Sequence, residues 1–299
     1  MNLLRLTQYV PTQAGPVSLG MSESMIGEGE LRADIEVLAK PRHRLFEADQ
    51  NRRTRLLLGE RLSALGYQVE YQGPFENVVA RGKRGPFTLI GAHYDSVPRS
   101  PGADDNASGL AVLLAVAKVA AHLDRRDGLM FVAFNAEEEG LRGSHDFVRS
   151  KAAPIQMAHI LEMVGFTKSV SHRQTLPKGL LRLISDVSIE EGDFLALVSR
   201  SRDPLETLRR NTAVHVPALR IIGLKSSRLL EWKFPDLLRS DHSPFWRAKI
   251  PAVLWTDTAE FRNPNYHRAS DIPNTLDYRF MRRVAALLLA TVLGFEKNL

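Results

Sequence analysis

Three short apolar runs each stop abruptly at residues that carry chemistry, and this pattern constrains the fold more than any other feature of the chain. FTLIGA (Phe87 to Ala92) stops at His93, Tyr94 and Asp95; LMFVAF (Leu129 to Phe134) stops at Asn135, Ala136 and Glu137 to Glu139; AHIL (Ala158 to Leu161) stops at Glu162. Apolarity that is continuous rather than alternating predicts strands covered on both faces. Between the first two runs lie a loop rich in Pro, Gly and Ser and then GLAVLLAVAKVAAHL, apolar nearly all round, which predicts a helix over 108 to 123 packed on a sheet. Strands separated by helices imply an α/β fold: a three-layer αβα sandwich with a mixed, mainly parallel central sheet. In such sheets ligands bind at the carboxyl ends of the strands, where His93, Glu137 and Glu162 fall.

The remaining segments fit around that core. Residues 1 to 30 are polar and punctuated by Gly and Pro, and read as an N-terminal arm; residues 31 to 299 read as one domain. Helical spacing over 31 to 65 is broken near Pro41, which predicts two helices or one kinked helix ending at Gly66. Tyr67 to Tyr71 and Asn77 to Ala80 read as outer strands. A helix is expected from about Leu141 to Ser150. Residues 166 to 250 are irregular and are expected to form a substrate wall: SHRQTLPKG reads as a loop, GDFLALV as a strand, DPLETLRRNTA as a helix and SDHSPFW as a polar turn. AVLWT (Ala252 to Thr256) is a further strand, a long loop carrying His267 follows, and 278 to 296 form a closing amphipathic helix.

Composition matters chiefly for what it excludes. The chain has 299 residues, enough for a large core, with 44% hydrophobic and 25% charged residues, as in ordinary soluble proteins. It contains no cysteine, so disulfides and thiolate metal sites are ruled out and any metal must be held by His and carboxylate. The net charge is +6, but the basic residues are scattered in small groups without interleaved aromatics, which argues for solvated surface over nucleic-acid binding. The first ten residues lack the apolar stretch of a secretory signal, and no apolar run reaches the ~18 residues of a membrane span, so a cytoplasmic location away from membranes is expected.

His93, Asp105, Glu138, Glu162 and His267 each fall at or just beyond the end of a predicted strand, or on the loop leaving it. Two imidazoles and three carboxylates on one rim are a donor set for zinc, and a shared carboxylate can hold two ions about 3.5 to 4 Å apart. A spare carboxylate beside a ligand, as Glu137 is beside Glu138, suits general-base work on a metal-activated water.

His93 with Asp95, then GADDNASG, AEEEG, LEMVG and a late YH, in that order, resemble the zinc-dependent aminopeptidases of peptidase family M28, which also includes glutaminyl cyclases. The resemblance runs from about residue 75 to 297 and implies the zinc-peptidase, phosphorylase/hydrolase-like fold. It implies that Asp105 bridges two zinc ions, with His93 and Glu162 on one and Glu138 and His267 on the other. It also implies that Glu137 is the general base and that Asp95 orients His93. Tyr266 resembles a tyrosine that could polarise the scissile carbonyl, and Asp241 an aspartate that contacts the reacting group in the cyclase branch. The family more often has aspartate where this chain has Glu162, and the cyclases use a single zinc, so one or two ions remain open.

The expected function is therefore removal of N-terminal residues from peptides with a free amino end. The first alternative is a glutaminyl cyclase, the second a non-catalytic binding module on the same fold. Simpler roles stand beside several assignments: Asp241 as a cap of the helix begun by SPFW, Asp271 as a cap or turn residue, and His242 as a substitute ligand. Preferred N-terminal residue and oligomeric state are not legible.

Overall fold

The three apolar runs become the centre of a nine-stranded sheet. The structure, a computed structural model, describes residues 6–9, 21–151, 153–167, 174–177, 179–180, 189 and 191–294. The strands are β1 (Leu6–Tyr9), β2 (Gln68–Gln72), β3 (Asn77–Arg81), β4 (Phe87–His93), β5 (Leu129–Phe134), β6 (Ile155–Glu162), β7 (Phe194–Ser199), β8 (Arg220–Lys225) and β9 (Ala252–Thr256). Their order across the sheet is β1-β8-β7-β9-β6-β4-β5-β3-β2. The four central strands β9, β6, β4 and β5 run parallel, and antiparallel pairings with β7 and β3 carry the sheet outward on each side.

Side chains alternate between two cores along every central strand, as the two-residue period of a strand requires. On β5, Leu129, Phe131 and Ala133 enter one core while Met130, Val132 and Phe134 enter the other. The first core is closed by α2 (Glu28–Leu38), α3 (Ala48–Ala64), α4 (Gly109–His122), α6 (Arg202–His215) and α9 (Tyr278–Leu293). The second lies beneath α5 (Arg142–Ser150), α7 (Arg228–Lys233) and α8 (His242–Arg247). α4 packs against both β4 and α9, which explains why its apolar residues run nearly all round. α9 begins at Asp277, whose side chain accepts from Phe280 N at 2.9 Å, and ends at Gly294 in the left-handed conformation.

The sheet and its flanking helices agree with the expected sandwich. Several local expectations change. SDHSPFW is the start of α8, and every residue from His242 to Trp246 is buried. Residues 166 to 250 hold β7, β8, α6 and α7, so the irregular stretch completes one side of the sheet; β8 and α7 were not legible in its sequence. Within the stretch read as an arm, Leu6–Tyr9 pairs antiparallel with β8, α1 (Met21–Ser24) follows, and α2 starts at Glu28. Residues 1–5 and 10–20 of that stretch, the end of the closing helix beyond residue 294 and part of SHRQTLPKG lie outside the described residues.

From β4 the chain moves to β5 on one side and returns to β6 on the other, so the order of the parallel strands reverses between β4 and β6. That reversal opens the crevice in which ligands of α/β sheets bind. Gly91 lies opposite Ile160, and His93 and Glu162, each two residues further on, emerge side by side.

Candidate metal centre

His93 is the last residue of β4 and fully buried. Its Nδ1 lies 3.2 Å from the main-chain O of Asp95, a contact that places the proton on Nδ1 and leaves the Nε2 lone pair facing the crevice. Nε2 lies 3.2 Å from Asp105 Oδ1 and 3.4 Å from Glu162 Oε1. On the other side, His267 Nε2 lies 3.2 Å from Asp105 Oδ2 and 3.2 Å from Glu138 Oε2. The two oxygens of Asp105 thus address two histidines. The ligand atoms of His93, Asp105 and Glu162 lie within 4.8 Å of one another, as do those of Asp105, Glu138 and His267, and those of His93, Glu137 and Glu138.

His93 and Glu162 end strands β4 and β6, and the loop that carries Asp105 is fixed from elsewhere in the fold. Asp105 precedes α4 in a segment whose peptide nitrogens Asp104 N and Asp105 N both donate to the carboxylate of Asp271, at 2.9 and 3.1 Å. Asp271 is thus a backbone anchor for the segment that carries Asp105, a turn role played across the fold rather than locally. Asn106 donates to Leu161 O and accepts from Met163 N, tying this segment to the end of β6. Arg42, completely buried, donates to the carbonyls of Leu38, Lys40, Tyr94, Pro101 and Gly102, and so joins the end of α2 to the loop between His93 and Asp105. Gly102 has φ +58, and a Cβ there would press on Asp105 O and the Arg42 guanidinium.

Asp95 meets both His93 and the next loop. Its carboxylate accepts from Glu137 N and Glu138 N, both at 3.2 Å, whereas its Oδ1 is 3.6 Å from His93 Nδ1. The main-chain oxygen of Asp95 fixes the imidazole, and the carboxylate fixes the loop that bears the two glutamates. That loop turns through Ala136 at φ 56, and Met163 and His267 also have positive φ, at 50 and 58. Non-glycine residues in this conformation are uncommon and cluster at functional sites.

The electrostatics follow from crowding carboxylates out of water. Burial pushes Glu137 well above the ordinary carboxylate range, only partly opposed by His93. Burial, reinforced by Asp105, raises Glu138 to about 7. Burial disfavours charge on His93, but Glu162 and Glu137 outweigh it and raise the imidazole well above its usual value. His267 is likewise opposed by burial yet lifted to about 10 by its contacts with Asp105 and Glu138. This ring of carboxylates thus draws positive charge toward both imidazoles.

A metal fits here on the chemistry of the donors: nitrogen and carboxylate oxygen only, with Glu138 Oε1 buried and without a hydrogen-bond partner. Zinc suits such a set, and His93, Asp105 and Glu162 on one side and Asp105, Glu138 and His267 on the other are the residues that would hold it. His242 does not join it; its Nε2 contacts Leu237 O at 2.9 Å, and burial lowers it to about 4.

Three further side chains surround the centre. Asp241 is buried with both carboxylate oxygens unpartnered, and burial raises it to about 7; it makes no side-chain cap to α8, which corrects the capping expectation. The Tyr266 ring stacks on His267 with centroids 3.7 Å apart, and its hydroxyl accepts from Arg239 Nη2 at 3.0 Å. Ser240 donates to Glu162 Oε2 at 2.7 Å. Asp271 is legible in the sequence as a cap or turn residue; Arg239, Ser240 and Arg42 are not legible there, and only the adjacency of Ser240 to Asp241 points toward one of them.

The centre opens into a cavity of about 410 Å³. Asp105, Glu137, Glu138, Glu162 and His267 line one end; Phe194, Val198, Ile222, Leu224 and Leu254 give the other an apolar wall.

Fold and site together define a metallopeptidase: an αβα sandwich with a histidine and carboxylate centre at the carboxyl ends of its parallel strands. The sequence then fixes the family, because the model of peptidase family M28 matches residues 77–189 and 218–292, and the chain belongs to that family. It is 32% identical over 229 residues to the uncharacterized protein YfbL of Escherichia coli, covering 71% of this chain and 68% of that one. The LapA aminopeptidase of Legionella pneumophila superposes with a TM-score of 0.71 at 18% identity, over 96% of this chain and 76% of LapA. The glutaminyl cyclase of Porphyromonas gingivalis superposes with a TM-score of 0.68 at 16% identity, over 90% and 99% of the two chains. With several other curated relatives the alignment spans less than two thirds of their length. Among the described residues, no helix is long and apolar enough to cross a membrane.

Proposed function

We propose that this chain is a zinc aminopeptidase that binds two ions and removes apolar residues from the free amino end of peptides. The observation that carries the reading is Asp105, whose two oxygens each lie 3.2 Å from a different histidine, one on either side of a shared carboxylate. Zinc, when bound by these residues, supplies Lewis acidity and a water made acidic near neutral pH. Glu137 is the proton carrier. Its carboxyl is buried and raised in proton affinity, so it can take the proton of the attacking water and return it to the leaving amine. Asp95 keeps Glu137 in place through the backbone. The Tyr266 hydroxyl already accepts from Arg239, which leaves its own proton to donate to the carbonyl oxygen. The carboxylates of the rim suit an ammonium group, and the apolar wall of β7, β8 and β9 suits the side chain of the first residue.

A glutaminyl cyclase is the second reading, favoured by Asp241, whose buried, unpartnered carboxylate could accept a proton from the substrate amine. Fold likeness does not separate the two, since an aminopeptidase and a cyclase superpose almost equally well. The complete ligand set on the His93 side supports hydrolysis. Mass spectrometry of peptides beginning with Leu and with Gln, incubated with zinc-loaded protein, tests this: loss of the first residue from the Leu peptide is expected. Loss of ammonia from the Gln peptide alone would replace hydrolase with cyclase.

A further inference from the structure

The two outer carboxylates of the centre are held differently. Glu138 keeps Oε1 without a partner and turns Oε2 toward His267. Glu162 has Oε2 occupied by the Ser240 hydroxyl at 2.7 Å and only Oε1, 3.4 Å from His93 Nε2, left for the crevice. Ser240 is buried, and its main-chain oxygen accepts from Ser243 N at 3.0 Å in the first turn of α8, so the hydroxyl is presented from a fixed backbone. A glutamate at the end of β6 has one more rotatable bond than an aspartate there would have. Without an anchor its carboxylate would sample several positions, and ordering it would count against metal binding.

We infer that Ser240 is a positioning residue that pins Glu162 as a one-oxygen ligand and thereby secures the ion held by His93, Asp105 and Glu162. The inference rests on the two-ion hydrolase reading above. The Ser240 hydroxyl bonds Glu162 and makes no hydrogen bond to Glu138 or His267, so its effect falls on one ion alone. Residues that orient metal ligands typically contribute 10- to 100-fold to affinity.

Titrating zinc into the metal-free chain against a chromophoric chelator, with the ratio of metal to protein measured by atomic emission, reads the two affinities separately. Wild type is expected to bind two ions. Ser240→Ala should bind one as wild type does and the other about 10- to 100-fold more weakly, and Ser240→Thr, which keeps the hydroxyl, should restore both. Ser240→Cys, a weak donor of similar size, serves as a second variant should the alanine protein fail to fold. Unchanged affinity for both ions in the variants, equal loss of both, or a wild type that binds a single ion would each overturn the inference. The peptide assay judges the hydrolase reading separately: a wild type that binds two ions, loses one on Ser240→Ala, yet cleaves no peptide, leaves the role of Ser240 standing and removes the hydrolase.

Discussion

Glu137 and Glu138 are neighbours in sequence with different surroundings. Glu138 lies 3.2 Å from His267, whereas Glu137 is raised by burial and faces the crevice without such a partner. Glu137→Gln should keep zinc and the fold while lowering kcat by about 10²- to 10⁴-fold; near-normal turnover in a steady-state assay would remove it from the chemistry. Arg239 acts through Tyr266. Arg239→Met should lower kcat more than it changes KM and add little in a Tyr266→Phe background, because both changes remove one interaction. Additive losses in that double-mutant cycle would separate the two residues. The histidines set the pH dependence. In the metal-free chain His267 titrates at about 10 rather than 6.5, so its contribution to stability is present below the ordinary imidazole range and is lost as pH rises through about 10. Zinc needs the neutral ring, so binding must release that proton, and affinity should climb with pH up to about 10. Calorimetry in buffers of different ionisation enthalpy checks this; a binding enthalpy independent of buffer would contradict it.

At the scale of elements, the site depends on how strand ends and loops are pinned. Arg42 joins α2 to the loop between His93 and Asp105 through five carbonyls, and its bonds to Leu38, Tyr94 and Gly102 are buried. Arg42→Met should destabilise by about 3 to 5 kcal/mol in urea unfolding, since it leaves several buried acceptors unpaired. The chemistry of these elements was largely visible in the sequence: Leu129–Phe134 is a strand with the predicted limits, and α4 lies within the helix read from its apolar run. What sequence patterning missed has a common cause. RIIGL of β8 is as buried as a central strand yet short and flanked by charges, and HSPFW of α8 is buried although two of its residues are polar. Both lie where tertiary packing overrides local pattern. Asp95 was recognised as a residue of the site, but which of its oxygens does what depends on where Ala136 turns the next loop.

For the whole molecule, two cores on either face of one sheet make the metal centre a property of the folded state. The His93, Glu138, Glu162 and His267 ligands come from four separate stretches of chain, so the unfolded chain has no comparable site. Zinc at a thousandfold excess over its Kd should stabilise the protein by about 4 kcal/mol, and a chelator should reverse the shift in thermal unfolding; an unshifted melting temperature would argue against a preformed centre. The class of fold and the candidate residues of the centre were legible in the chain, because buried strands need continuous apolar runs and metal ligands need particular side chains at their ends. Which oxygen of Asp105 meets which histidine, the bond of Ser240 to Glu162, the bond of Arg239 to Tyr266 and the apolar wall of β7, β8 and β9 all came from packing. Those contacts join residues far apart in the chain. Their distances are set by packing, which no local pattern of residues records.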